Sequence, residues 1–252
     1  MSAGTEAIAE EVDAALARLD PARLRREYRA QDEFLLVPEF LSDGAVGALV
    51  DDARGLEPGL NRSYVPRHKK SGSVSAFAIA EDGPALLALY RSERFRRFLS
   101  DLVGAPLQCC PEEDPHACAL YFYTEPGDHM GYHYDTSYYR GARYTVLVGL
   151  VQDSASRLRC RLHTRQPGRA PVDLEVATDP GTMVIFNGDK VYHGVSPSRA
   201  GDRRIVFSME YVTSQELGRL QRLFSNLKDA FTYFGIRALL RGRAGARVPS
   251  RP

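Results

Sequence analysis

The chain has 252 residues, and its 44% hydrophobic and 26% charged residues are the balance of an ordinary globular protein. Its 33 basic residues nearly cancel its 32 acidic residues, so the net charge of +1 argues against a nucleic-acid-binding protein. No apolar run approaches the roughly 18 residues of a membrane span. The acidic N-terminus lacks the basic start and apolar stretch of a secretory signal, so we expect a cytoplasmic protein.

The first hundred residues predict mostly helices. Residues 5–31 favour one or two helices broken at Pro21, and 33–37 form a short apolar run typical of a strand. Ser42 and Asp43 are suited to cap a helix that continues to about Ala53. The polar stretch 61–73 is predicted to be a loop, and two helices are predicted near 84–91 and 93–103.

From about residue 106 the pattern changes to short β-prone runs separated by turn residues. Strands at this spacing indicate an antiparallel sandwich or barrel. We find no repeat or low-complexity linker, so we expect one domain in three parts: 1–105 (helices and first strands), 106–212 (β core) and 213–252 (C-terminal helix and basic tail). The clearest strand predictions are 117–123, 143–151, 158–163, 183–186, 191–195 and 204–212.

Leucine and phenylalanine residues recur in alternating steps of three and four between Leu217 and Phe234. This stripe predicts a helix over 214–240 that packs on the barrel or forms a homodimer. The tail beyond Asp229 holds five arginines and no acid, which also permits contact with an anionic surface.

The four cysteines form no C-x-x-C motif, which argues against a zinc ribbon or a thioredoxin-like site. We expect all four thiols to be free and buried, as is usual in a reducing compartment.

Two histidines and one carboxylate suggest a metal site. His133 and Asp135 are two residues apart, so on a strand their side chains share a face. His193 lies in another short segment that is predicted to be a strand. This set is the facial triad of non-heme Fe(II) oxygenases, which leaves three coordination positions open. Zinc also accepts two histidines and one carboxylate, so the ligands alone do not choose the metal.

The flanking residues add an ordered pattern. His193 follows His133 by 60 positions, Arg203 follows His193 by 10, and Tyr123 precedes His133 by 10. With the strand-to-helix segment 32–43, this set resembles the iron(II)/2-oxoglutarate-dependent dioxygenases of the prolyl-4-hydroxylase-like and phytanoyl-CoA-hydroxylase-like kind. The resemblance covers about residues 30–212.

The resemblance implies a mainly β fold with flanking helices, whose core is a double-stranded β-helix (jelly roll). His133, Asp135 and His193 would hold Fe(II), and Tyr123 would contact the 2-oxoglutarate. With O2, the co-substrate would be decarboxylated to succinate while a small-molecule or natural-product substrate is oxidised. Hydroxylation or desaturation is expected rather than chlorination, because related halogenases have Gly or Ala where this chain has Asp135.

By the same resemblance Arg203 would bind the distal carboxylate of 2-oxoglutarate. Arg203 and Arg204 are adjacent on a strand and must face opposite ways. Arg203 alternates with Ile205 and Phe207, which suggests the inner face; Arg204 would lie outside and pair with an acid such as Glu210. A one-residue bulge would reverse this assignment.

The substrate is less well defined by the sequence. Many relatives carry a Gly-Gly-acid-Leu turn where this chain has residues 152–162, a loop that usually borders the substrate. Two alternatives remain: a cupin-like metal enzyme that does not use 2-oxoglutarate, and a non-catalytic jelly-roll binding or interaction protein. Candidate substrate-lining residues are Arg67, His68, Lys69, Tyr121, Tyr138, Tyr139 and Arg140.

Overall fold

The structure is a computed structural model, and it describes residues 3–135, 137 and 139–216. The helix predicted for 214–240 lies outside the described residues except for positions 214–216, which are not helical. The predicted homodimer contact through that helix therefore also lies outside the described residues.

The chain begins with helices α1 (Ala3–Ala17) and α2 (Pro21–Ala30), which confirms the predicted break at Pro21. Asp20 caps α2 by accepting a hydrogen bond from the backbone N–H of Arg23, and proline occupies the first turn, where its missing N–H costs nothing. Strand β1 (Phe34–Val37) leads to α3 (Asp43–Leu56), which Ser42 caps at the N–H of Ala45.

The remaining helices precede most of the sheet. They are α4 (Ala76–Asp82), α5 (Pro84–Arg91) and α6 (Glu93–Val103), of which the last two match their predicted positions and α4 was not predicted. Among the described residues, no helix has the length and apolar character of a membrane span.

The polar stretch 61–73, predicted to be a loop, is instead a hairpin of β2 (Asn61–Val65) and β3 (Lys69–Val74). Strand β3 pairs with two further strands of the sheet, so backbone hydrogen bonds hold this polar segment in place. The prediction was wrong because a polar sequence indicates a solvated loop only when no neighbouring strand offers hydrogen-bond partners to its backbone N–H and C=O groups.

Nine more strands complete the sheet, and all six of the strands predicted after residue 106 are confirmed within a few residues. They are β4 (Gln108–Cys109), β5 (Cys118–Tyr123), β6 (His129–His133), β7 (Arg143–Asp153), β8 (Leu158–Leu162), β9 (Val172–Val176), β10 (Met183–Asn187), β11 (Tyr192–Val195) and β12 (Arg203–Val212). The four cysteines are free; all are buried except Cys109, which is half-buried.

The sheet is antiparallel and runs in the order β1-β10-β7-β12-β5-β3-β6-β11-β8-β9, with β2 beside β3 and β4 beside β12. It curls so that β5, β7, β10 and β12 face β6, β8 and β11 across one cavity. Strand β3 of the N-terminal part lies in the middle of this order.

The two faces of the curled sheet bury different residues. On β12, Ile205 and Phe207 belong to a large core shared with the helices, whereas Val206 belongs to a smaller cluster inside the curl. Strand β10 divides in the same way, with Ile185 on the helix side and Phe186 inside. The outer face of these strands is therefore apolar because helices cover it.

Candidate metal centre and co-substrate cavity

A cavity of about 280 Å³ lies inside the curl of the sheet. Its wall includes the predicted metal ligands His133, Asp135 and His193. Their ligand atoms lie within 4.8 Å of one another, and this is the only cluster of at least three such groups found among the described residues.

The two histidines are brought together by strand pairing. His133 ends β6 and lies directly opposite His193 on β11, with ring centroids 4.4 Å apart. A glycine follows His193, and a Cβ at Gly194 would lie 2.7 Å from the carbonyl oxygen of Met130. The absence of a side chain there permits the close approach of the two strands.

Each histidine ring is oriented by a backbone carbonyl. The Nδ1 of His133 bonds the carbonyl oxygen of Gly131 at 2.9 Å, and the Nδ1 of His193 bonds that of Val191 at 3.1 Å. A proton on Nδ1 leaves the lone pair of each Nε2 available for a metal. Burial, the largest influence, lowers the pKa of His193 to about 4, so this ring is neutral at physiological pH, as a ligand must be.

Asp135 follows β6 rather than lying on it, but it completes the cluster. Its Oδ1 is 3.5 Å from Nε2 of His133 and 3.6 Å from Nε2 of His193, too long for good hydrogen bonds. Its other oxygen accepts a hydrogen bond of 2.6 Å from the hydroxyl of Thr145. Burial raises the pKa of Asp135, but the nearby histidines outweigh it and hold the pKa well below its usual value.

These donors fit Fe(II). Two neutral imidazole nitrogens and one carboxylate oxygen converge at separations that a shared ion accounts for better than hydrogen bonding does, and each is oriented by a neighbour.

The predicted positions of the two arginines are reversed in the structure. Arg204, only 1% exposed, lines the cavity, whereas Arg203 forms an ion pair of 2.6 Å with Glu57 outside it. The ring of Tyr123 lies beneath the Arg204 guanidinium, with the guanidinium carbon 5.0 Å from the ring centroid. Among the described residues, no carboxylate forms an ion pair with Arg204.

The reversal has a simple cause. Arg204, Val206, Ser208 and Glu210 alternate along β12 and all line the cavity, while the apolar positions between them face the helices. From the sequence, the apolar face of β12 is assigned to the barrel interior, but the inner face of this strand is mainly polar and its helix-covered outer face is apolar. Strand β12 itself is regular, so no bulge in it is needed to explain the reversal.

Glu210 does not pair with Arg204 either. Its carboxylate accepts a 3.0 Å hydrogen bond from Nε of Arg143, and both groups are buried in the cavity wall. Burial raises the pKa of Glu210 to about 7, against the opposing effect of Arg143. The hydroxyl of Thr145 lies between Glu210 and Asp135, so this pair is linked to the metal centre.

Of the six candidate substrate residues that the structure describes, two line the cavity: His68, whose ring meets the edge of the His133 ring, and Tyr121. The other candidates are Arg67 (exposed in the hairpin turn), Lys69 (buried, with its ammonium 5.3 Å from the Tyr121 ring centroid), Tyr139 (buried, bonded to Asp114), Arg140 (exposed, paired with Glu216) and Tyr138 (outside the described residues). Arg67, Lys69, Tyr139 and Arg140 are therefore not part of the cavity lining, contrary to prediction.

Several cavity residues were not anticipated: Arg143, Thr145, Ser208 and Glu210. The signal for Ser208 and Glu210 is their polar alternation with Arg204 on one strand, which is assigned to an outer face from the sequence.

One sequence family, described as HalD (Halogenase D), matches residues 20–141, just under half of the chain. The match includes His133 and Asp135 but ends before His193 and Arg204. Among curated proteins none matches the chain.

Three solved structures illustrate the likeness in fold. SnoN, a non-heme alpha-ketoglutarate-dependent epimerase from nogalamycin biosynthesis, is 18% identical (TM-score 0.63; 77% of this chain, 84% of that chain). AviO1 from Streptomyces viridochromogenes Tue57 is 18% identical, with a TM-score of 0.62 over 79% of this chain and 99% of that chain. A Pseudomonas putida prolyl-4-hydroxylase is 17% identical, with a TM-score of 0.57 over 78% of this chain and 100% of that chain. The predicted architecture is thereby confirmed: the chain has the jelly-roll fold of the non-heme iron, 2-oxoglutarate-dependent oxygenases.

Proposed function

We propose that this protein is a non-heme Fe(II)/2-oxoglutarate-dependent oxygenase that hydroxylates a small molecule. The observation that carries the proposal is the pairing, in one cavity, of a His-Asp-His cluster with a buried arginine that has no acidic partner among the described residues. A buried guanidinium without a counterion is costly, and an anionic ligand would offset that cost.

In this proposal His133, Asp135 and His193 hold the iron, and Arg204 holds the distal carboxylate of 2-oxoglutarate. Arginine suits this task because it stays charged and presents paired donors to a carboxylate. Burial raises the pKa of Tyr123 to about 12, so its hydroxyl remains protonated as a donor beside the co-substrate. Bound Fe(II), 2-oxoglutarate and O2 together supply the oxidation of a substrate C–H bond, coupled to the formation of succinate and CO2.

The presence of Asp135 favours hydroxylation over chlorination, despite the partial match to a halogenase family. A halide ligand needs a coordination position that a carboxylate ligand does not already fill. The Asp135 carboxylate lies beside both imidazoles and is held by Thr145.

The substrate is proposed to be a small molecule or natural-product intermediate. Support comes from the cavity of about 280 Å³ that holds the metal cluster and Arg204, and from SnoN, which belongs to nogalamycin biosynthesis. Four free cysteines accord with a reducing compartment, and we propose a cytoplasmic location.

The test is succinate release from 2-oxoglutarate, measured with and without Fe(II) and O2. We expect succinate only when all three are present, and none from the His193→Ala variant. Metal-dependent turnover without 2-oxoglutarate would favour a cupin-like enzyme instead. A wild-type protein that binds neither Fe(II) nor 2-oxoglutarate would favour a non-catalytic binding protein.

A further inference from the structure

The carboxamide of Gln152 lies beside the guanidinium of Arg204. Its Oε1 accepts a hydrogen bond of 3.2 Å from Nε of Arg204. Thr178, which is fully buried, accepts a second bond of 3.0 Å from the same guanidinium and lies 3.3 Å from Oε1 of Gln152. Gln152 and Thr178 thus use two of the five guanidinium N–H groups, one on Nε and one on an outer nitrogen.

A β-bulge in β7 makes this contact possible. Gly149 lies opposite Val206 on β12, but the next pair is Val151 with Ile205, so Leu150 is the extra residue. Past the bulge the faces of β7 are exchanged, and Gln152 lies directly opposite Arg204. Without the bulge, the register of β7 against β12 would place Val151 opposite Arg204. Bulges commonly redirect a side chain in this way beside an active site.

The remaining bonds of Gln152 fix which way its amide points. Its Nε2 donates to the carbonyl oxygens of Ser154 and Ser156, both at 3.0 Å. Because both N–H groups meet acceptors, the oxygen must be the atom that faces Arg204. Tyr123 is the residue opposite Arg204 on β5, so the arginine is held between two neighbours, one on each adjacent strand.

We infer that Gln152 is a positioning residue for the co-substrate: it orients the Arg204 guanidinium toward the cavity while leaving its charge available. The inference rests on the proposed function. A neutral amide is essential to it, because a carboxylate at this position would pair with Arg204 and compete with the distal carboxylate of 2-oxoglutarate. The last residues of β7 therefore serve the co-substrate end of the cavity.

The experiment is calorimetric binding to the Mn(II)-loaded full chain without O2. The ligands are 2-oxoglutarate and oxalate, which offers a metal the same kind of chelating oxygen pair but has no distal carboxylate. The variants are Gln152→Glu and Gln152→Ala, with Gln108→Glu, an exposed position on β4, as the charge-matched control. Thermal melting confirms that each variant is folded.

We expect Gln152→Glu to weaken 2-oxoglutarate binding by at least about tenfold, Gln152→Ala to weaken it less, and neither to change oxalate binding. Gln108→Glu should match the wild type. Equal losses for both ligands, or unchanged 2-oxoglutarate binding in folded Gln152→Ala and Gln152→Glu, would overturn the inference. A wild type that binds oxalate but not 2-oxoglutarate would overturn the proposed function itself, and this inference with it.

Discussion

Arg203 and Arg204 are adjacent on β12 but lie in opposite surroundings. The Arg203 side chain is 41% exposed and its charge is balanced by Glu57, whereas Arg204 is buried against Tyr123, Gln152 and Thr178. An exposed ion pair contributes little free energy, but a buried charge strongly favours a ligand of opposite sign. The two positions should therefore respond very differently to the loss of their guanidinium groups.

We predict that Arg204→Ala raises the KM for 2-oxoglutarate by well over tenfold, and that Arg203→Ala leaves it within about twofold. Truncating one partner of a buried charge pair costs about 2–5 kcal/mol. The measurement is succinate formation at varied 2-oxoglutarate for both variants side by side. A raised KM in Arg203→Ala alone would mean that the register of β12 is wrong.

Gly188 controls the space around a metal ligand. A Cβ at this position would lie 2.3 Å from Oδ2 of Asp135, and the backbone carbonyl of Gly188 accepts a hydrogen bond from the N–H of Asp135. Any side chain here must displace the carboxylate or the loop that follows β10. The glycine is thus part of what orients the third ligand.

We predict that Gly188→Ala weakens Mn(II) or Fe(II) binding by about 10–100-fold, the usual effect of disturbing a group that orients a ligand. Gly47→Ala is the matched control, because Gly47 lies within α3 and a Cβ there meets nothing within 4 Å. The control should bind metal normally and be slightly more stable, since alanine favours a helix by about 1 kcal/mol. Unchanged metal affinity in Gly188→Ala would contradict the position of the Asp135 carboxylate beside Gly188.

At the scale of elements, one buried carboxylate fastens the β2–β3 hairpin to the turn between β5 and β6. Asp128 is fully buried and receives two hydrogen bonds of 2.6 Å from Arg62 on β2. Its Oδ2 also accepts the backbone N–H groups of Thr124 and Glu125. Since the turn between β2 and β3 carries His68, whose ring contacts the His133 ring, Asp128 stabilises one wall of the cavity.

We predict that Asp128→Ala destabilises the protein by about 3 kcal/mol, because it leaves the partly buried Arg62 and two N–H groups without this acceptor. The Tm should fall by several degrees. Glu125→Gln is the control: Glu125 also meets Arg62, but it is half exposed, and such pairs contribute less than about 1 kcal/mol. Equal melting temperatures for the two variants would contradict the anchoring role.

At the scale of the whole molecule, the two faces of the curled sheet have different roles: one packs in the core and stabilises the fold, and the other lines the cavity. The outer face of β12 packs into the large core beneath the helices, and the inner face lines the cavity. Neighbouring residues on one strand thus serve different purposes. Phe207 is fully buried on the outer side, and Ser208 faces the cavity.

We predict that Phe207→Ala lowers the free energy of unfolding by about 3–5 kcal/mol, as is usual when a core aromatic side chain is removed. Ser208→Ala should cost less than about 1.5 kcal/mol, since it deletes only a 3.4 Å hydrogen bond to Glu210. Denaturant unfolding measures both. A larger loss in Ser208→Ala than in Phe207→Ala would refute the division of the two faces.

The sequence by itself determined the elements with strong local signals. Proline at 21, the serine cap at 42 and the apolar periodicity of α5 and α6 gave helices at the observed positions. The alternation of β-prone runs and turn residues gave the later strands. The spacing of His133, Asp135 and His193 was enough to predict the cluster. His133 at the end of β6 pairs with His193 on β11, and Asp135 follows only two residues later.

Only the tertiary structure decided what each face of a strand meets. The choice between Arg203 and Arg204 depended on whether the apolar side of β12 faces a cavity or a layer of helices, and no local pattern distinguishes these two surroundings. The polar hairpin 61–73 is a pair of strands because β5 and β6 supply its hydrogen bonds. Gln152 reaches Arg204 through a bulge one residue long, which depends on the pairing of β7 with β12 and leaves no mark in the sequence of either strand alone.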